Sequence, residues 1–473
     1  MLSKPSSRYM AKRIAGMPAT KSQIEGALVA CMLAIALISF YFTFEYDYKF
    51  FALIGGVTGT IAILTNPRAG VYLLAFIIPL QYFVRTDSGG TAINYLGLGI
   101  FAIWLLRKLV SGASFSYITG SPIVKICSTF LLIALASGMW AANWSAWQVR
   151  FFTFFQLLGM LVLLIDTIRT EKHLEFLLAA LTLGTVVSAI SAIHEYMDDP
   201  TWDIYSRATG GFGDGNFSSA SYLFVMPFAF LILQRPGIKR WFGIVILLIL
   251  VVGTVASVSR TGILALILFA LLLLNNDQKS KNKLFYMILV MSGILFLSPI
   301  LPLENIVYRF SRITTGDSNT DFGGRAIRIA ALLPEILSRP ILGTGLGRQP
   351  TMPVAHNQFI QIGVELGFPG MLILIWLWCF SWITLSNVKR RCVVLNANSL
   401  SDIVSMLRLS FILYLFFSLS LSNESSRTLW VLFSLVAIVD QLTKPEGLVA
   451  KSYRLTTTSS VEYREKHGTF RPM

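Results

Sequence analysis

Long apolar runs, interrupted at intervals by short clusters of charge, occupy the chain from residue 24 to residue 442. Roughly 20 apolar residues in a helix cross a bilayer core, and only a helix satisfies every backbone group inside its own segment. On that basis the candidate spans are 24–44, 50–64, 70–84, 92–106, 123–140, 151–168 and 174–194. They continue at 218–234, 241–256, 261–274, 284–300, 357–386, 404–421 and 427–442, which makes fourteen. Segments 50–64, 241–256 and 261–274 are short, and the last two read equally as one helix broken around Ser259 and Arg260, so the count falls toward twelve. The pattern predicts an all-α, polytopic transmembrane helical bundle of about 12–14 spans.

Composition agrees with the pattern. Of 473 residues, 55% are hydrophobic and 13% charged, with a mean hydropathy of +0.66. Soluble domains carry about a quarter charged residues, which excludes a string of soluble domains. The formal net charge of +15 comes from clusters in alternate loops, so it reads as positive-inside topology and not as a nucleic-acid surface. These clusters are Arg68; Arg107 and Lys108; Arg169 and Lys172; Arg235, Lys239 and Arg240; Lys279, Lys281 and Lys283; and Lys389, Arg390 and Arg391. The expected layout is a basic cytoplasmic N-terminus over 1–23, a membrane domain over 24–442 and a cytoplasmic tail over 443–473. The apolar run after Lys21 is long and lacks a small-residue cleavage site, so it reads as an anchor and not as a removed signal. Cys31, Cys127, Cys379 and Cys392 show neither disulfide-framework nor metal-ligand spacing.

Two outer loops are long, 195–217 and 301–356. The first holds Asp198, Asp199, Asp203, Arg207 and the glycine-rich stretch from Gly210 to Asn216, read as a flexible loop entering a helix at Asn216. Without a strand–loop–helix setting or a Lys-Ser/Thr pair that stretch is no nucleotide loop, and the aspartates read as solvated rather than cation-binding. The second carries Arg309, Arg312, Arg325, Arg328, Arg339 and Arg348 on the side where positive charge is normally sparse. Within it 324–338 reads as a short amphipathic helix, with Pro334 as a kink and Pro340, Gly343, Gly345 and Gly347 as its stop.

Polar and ionisable groups persist in a lipid-compatible segment mainly where they line a cavity or a reaction site. A helix starting near His356 places Asn357, Gln361 and Glu365 on one face. His356 can take a proton from a hydroxyl near neutral pH, and Glu365 reads as a brace to neighbouring helices. Arg260, between two apolar runs, is either a snorkelling helix-end arginine or a clamp whose planar fork suits phosphate oxygens.

Several stretches together resemble the bacterial O-antigen ligases and the wider O-antigen ligase and polymerase superfamily. They are His356-Asn357 with Gly367 and Gly370; Gly211 to Asn216; Ser259-Arg260-Thr261-Gly262; and Gly324-Arg325 running to Pro340-Ile341-Leu342-Gly343-Thr344-Gly345. The resemblance implies an inner-membrane glycosyltransferase with its site facing the periplasm. Such an enzyme moves a glycan from undecaprenyl pyrophosphate to an acceptor hydroxyl, with inversion and without metal or cofactor. Arg260 and Arg325 then serve the pyrophosphate and His356 activates the acceptor. Arg207, Arg312, Arg328, Asn216, Asn357 and Gln361 are candidate substrate contacts, with Glu365 behind them. In a ligase the acceptor is lipid A-core, and in a polymerase it is another carrier-linked glycan. A lipid-linked glycan transporter is the competing class, although no internal repeat speaks for one.

Overall fold

The computed structural model describes residues 66–83, 92–198, 207–275, 307, 311, 321–347 and 352–444. The expected spans 24–44, 50–64 and 284–300, and both termini, lie outside the described residues. The chain divides into Met1–Leu73, whose described residues begin the helix α1 (Pro67–Ile77), and Leu74–Met473, which holds every later helix. These are α2 (Ala92–Val110), α3 (Pro122–Ala136), α4 (Trp144–Thr167), α5 (Glu171–Asp198), α6 (Gly215–Leu233), α7 (Ile238–Ala256) and α8 (Arg260–Asn275). The amphipathic α9 (Asp321–Ser338), then α10 (Gln358–Val394), α11 (Asn398–Ser418) and α12 (Arg427–Leu442) complete the long helices among the described residues, with a single short turn at Ser116–Thr119 and three 3-10 turns between them. All regular structure among the described residues is helical, and eight helices are long and apolar enough to cross a membrane. This is a multi-pass helical membrane protein.

Helix α6 forms the centre of the second unit, with 83% of its most apolar window buried, and it packs on α5, α7, α8 and α11. Its mirror case is α2, only 22% buried, whose apolar residues Leu98, Leu106 and Leu109 face outward as a lipid-contacting helix should. The runs 241–256 and 261–274 are two helices, not one. They separate at Ser257, Val258 and Ser259, where Val258 takes φ 48°, a left-handed conformation that a β-branched residue rarely adopts.

Among the described residues of the second unit, the basic loops holding Lys108, Arg169 and Arg391 gather at one end of the bundle, and these charges are paired there. Asp166 accepts from Lys108 Nζ at 2.6 Å, Trp104 Nε1 at 2.8 Å and Arg169 Nη2 at 2.5 Å. Arg169 stacks on Tyr117, whose carbonyl accepts from Gln441 Nε2 at 2.8 Å. Arg391 pairs with Asp440 at 2.5 Å and Arg235 with Glu175 at 3.3 Å.

Helix α10 is bent where the sequence broke its own pattern. Gly367 (φ 67°, ψ −168°) interrupts the helical dihedrals while the helix continues beyond Pro369. The segment Pro340 to Gly347 fills the bend: Phe368 N donates to Pro340 O at 2.7 Å and Thr344 N to Val364 O at 2.9 Å. Gly343 must lack a side chain, since a Cβ there would lie 2.6 Å from Glu365 O. On its other side the segment meets the turn before α4, with Ala142 N donating to Thr344 O at 3.4 Å and Trp140 Nε1 to Leu342 O at 2.9 Å.

Candidate functional site

The opposite end of the bundle collects the residues singled out in the sequence. Helix α10 begins at Gln358, two residues later than a start at His356, because Asn357 is its cap. Asn357 Oδ1 accepts from Phe359 N at 3.0 Å and Ile360 N at 3.1 Å. Asn357 Nδ2 donates to Leu419 O at 3.1 Å, tying the cap to the turn between α11 and α12. His356 precedes the cap with φ 48°, so the chain reverses sharply at this half-buried histidine. Gln361 and Glu365 do share a face: Gln361 Nε2 donates to Glu365 Oε1 at 2.7 Å, and Gln361 Oε1 accepts from Ala355 N at 3.2 Å.

The Ser259-Arg260-Thr261-Gly262 stretch opens α8. Ser259 Oγ accepts from Gly262 N at 3.1 Å and donates to Asn216 Oδ1 at 2.7 Å. Asn216 therefore joins this stretch, and Asp214 caps its helix by accepting from Asn216 N and Phe217 N. The glycine-rich segment is not the flexible loop its composition suggested. Gly210 and Gly211 are buried, Glu195 accepts from Thr209 N at 2.8 Å and Gly210 N at 3.1 Å, and Ser188 Oγ accepts from Gly211 N at 2.9 Å. Arg207 is half-buried at the edge of the same corner, where Ala208 N donates to Ala256 O at 3.4 Å.

Helix α9 connects the two motif regions. Arg325 Nη1 donates to Thr261 Oγ1 at 3.5 Å at one end, while Leu332 and Ile336 pack against Ala355 and Val364 beside His356 at the other. Arg328, three residues from Arg325, is exposed. Arg312 and Arg348 lie outside the described residues, as do Asp199 and Asp203; Asp198 is exposed and pairs with His194 at 2.9 Å.

Glu365 is buried, 1% exposed, and its partners beyond Gln361 were not named from the sequence. Its Oε2 lies 3.9 Å from Arg150 Nε and accepts from Gly347 N at 3.4 Å. Arg150, on α4, also pairs with Glu424 in the turn between α11 and α12, and donates from Nη1 to Ser425 Oγ at 2.9 Å. Burial pushes the Glu424 carboxyl above the ordinary carboxylate range, against the pull of Arg150. The available signal was an arginine one turn and a half into an apolar helix, and an Asn-Glu pair between two apolar runs. Arg150, Glu365 and Glu424 line a cavity of about 600 Å³ together with Val354, two residues before His356, and Gln361, four residues after Asn357.

Fold and site together define a polytopic helical membrane protein with Arg260, Arg325 and His356 at the end opposite its paired basic loops. Residues 243–375 match the family model described as O-antigen ligase, so this part of the chain is similar to that family. That segment contains Arg260, Arg325 and His356; Asn216 precedes it and joins it through Ser259. The family implies a membrane glycosyltransferase-like enzyme acting on lipid-linked glycans. No curated protein matches the chain.

Proposed function

We propose that this protein transfers a glycan from undecaprenyl pyrophosphate to an acceptor hydroxyl at the periplasmic face of the inner membrane, and acts as an O-antigen ligase on lipid A-core. The observation that carries the reading is the bridge made by α9. One helix brings Arg325 to the Arg260 stretch and packs its other end beside His356, so the three motif regions form one corner of the molecule. The periplasmic assignment rests on charge: the basic loops lie at the opposite end, which by the positive-inside rule faces the cytoplasm.

The chemistry follows from the residue types. The acceptor oxygen attacks the anomeric carbon, the bond from that carbon to the diphosphate oxygen breaks, and the carrier diphosphate leaves with the electron pair. Negative charge grows on the diphosphate, where the guanidinium groups of Arg260 and Arg325 stabilise it. His356 takes the proton from the acceptor hydroxyl. Direct displacement of this kind inverts the anomeric centre, and no step calls for a metal.

The test is transfer by the full chain in lipid nanodiscs, given a carrier-linked glycan with either lipid A-core or a second carrier-linked glycan. Product on lipid A-core with inverted linkage is expected. Product only on the second carrier-linked glycan would make the protein a polymerase, and no product with either, alongside carrier-lipid movement across the bilayer, would make it a transporter.

A further inference from the structure

The cavity beside Glu365 is not part of the arginine corner, and its chemistry differs. Its polar lining includes Asn143, Ser145, Arg150, Glu365, Ser422 and Glu424. At about 600 Å³ it has the scale of small-ligand sites, which run from about 300 to 1,000 Å³. Two of its charged groups have bonding capacity left over. Glu424 is 2% exposed, yet its Oε2 has no hydrogen-bond partner among the described residues, and neither has Arg150 Nε. Buried polar atoms are normally satisfied, so an unsatisfied acceptor and an unsatisfied donor on two residues that line one cavity point to a polar ligand there.

The charge balance selects the ligand. Two carboxyl groups face one guanidinium, so the cavity does not favour a diphosphate, whose charge suits Arg260 and Arg325 instead. Neutral hydroxyls suit it well: they donate to Glu424 and accept from Arg150 and the serine and asparagine side chains. Trp144, between the lining residues Asn143 and Ser145, is exposed and stacks on Trp147 with ring centroids 4.5 Å apart, offering a fixed apolar face at the rim. The cavity also shares Thr153 and Ser425 with an apolar slot lined by Leu98, Phe101, Leu157 and Met160. A ligand with sugars in the cavity can therefore leave its lipid toward the bilayer.

We infer that this cavity is a carbohydrate subsite that holds the sugar hydroxyls of the acceptor glycan, with Glu424 and Arg150 as specificity-determining contacts. The inference rests on the transfer reading above, and its test has a readout independent of transfer. Core oligosaccharide freed of lipid A is added to the full chain in nanodiscs, and binding is read by saturation-transfer difference NMR. Transfer kinetics then give the acceptor and donor KM separately. Ser145 is exposed, so Ser145→Trp fills the cavity without disturbing the packed interior; Glu424→Gln keeps the shape and removes the charge.

Wild type gives a saturation-transfer signal from the oligosaccharide that Ser145→Trp abolishes. Both variants raise the acceptor KM about tenfold or more, equivalent to about 1.4 kcal/mol of binding, with the donor KM unchanged. No oligosaccharide signal from wild type, or a Ser145→Trp enzyme with unaltered acceptor KM, overturns the subsite. A donor KM that rises while the acceptor KM holds also overturns it and gives the cavity to the donor. Failure of wild type to transfer, with the oligosaccharide signal intact and lost in Ser145→Trp, removes the transfer reading and leaves the sugar site standing.

Discussion

Both ends of the bundle bury charge, and they do so to opposite effect. At the basic end Asp166 is held by Lys108, Trp104 and Arg169, so its oxygens are saturated by protein donors. At the other end Arg150 is shared between Glu424 and Glu365, both residues line a cavity with Arg150, and Glu424 Oε2 and Arg150 Nε have no hydrogen-bond partner among the described residues. Ionisable groups in a membrane protein are costly at either end. What separates a brace from a working face is therefore not the burial of charge but whether the protein alone satisfies it.

The comparison can be broken most severely at the arginine corner. Arg260→Ala with Arg325→Ala should lower transfer by about 10³-fold or more, since a single donor to developing charge is typically worth about 10²–10³. Product formation in nanodiscs measures this, and activity within tenfold of wild type would remove the arginines from the mechanism. Single Arg260→Lys and Arg325→Lys changes come next, with a loss of about tenfold or more, because lysine keeps the charge and forfeits the planar fork. Near-normal transfer by both would leave general positive charge as the only contribution.

The saturated end should answer in stability instead. Asp166→Ala strands the buried Lys108 and should cost about 3–5 kcal/mol, read as a lower thermal midpoint, with transfer per folded molecule unchanged. A loss of turnover without loss of stability would erase the distinction between the two ends. The smallest effect belongs to Arg328, exposed on α9 and one of the candidate substrate contacts of the sequence. Arg328→Lys should stay within about twofold of wild-type transfer, as exposed substitutions away from special features usually stay within about 0.5 kcal/mol.

Much of this was legible in the sequence because membrane helices announce themselves through length and hydropathy. The bend in α10 falls at Gly367 and Pro369, and the Gln361–Glu365 contact followed from helical spacing alone. Short-range chemistry misled in two places. The glycine-rich segment from Gly210 to Asn216 looked flexible, but glycines also allow close approach, and here Glu195 and Ser188 bind its backbone. Asn357 was placed on a helical stripe, whereas its side chain caps the helix. The Arg150 and Glu424 pair was out of reach, since 274 residues separate the two and only the packing of α4 against α12 brings them together. The expectation that 301–356 is periplasmic, and the spans before residue 66, fall on residues the structure describes only in part or not at all.

The central claim is that His356 removes the acceptor proton while the arginines hold the diphosphate. His356→Gln tests it most directly, because glutamine keeps hydrogen bonding and cannot take a proton at neutral pH. In nanodiscs with a carrier-linked donor and lipid A-core, the variant should bind the carrier lipid as wild type does and turn over about 10²–10⁴-fold more slowly. A His356→Gln enzyme that transfers within about threefold of wild type would contradict the account, since a general base is worth far more than that.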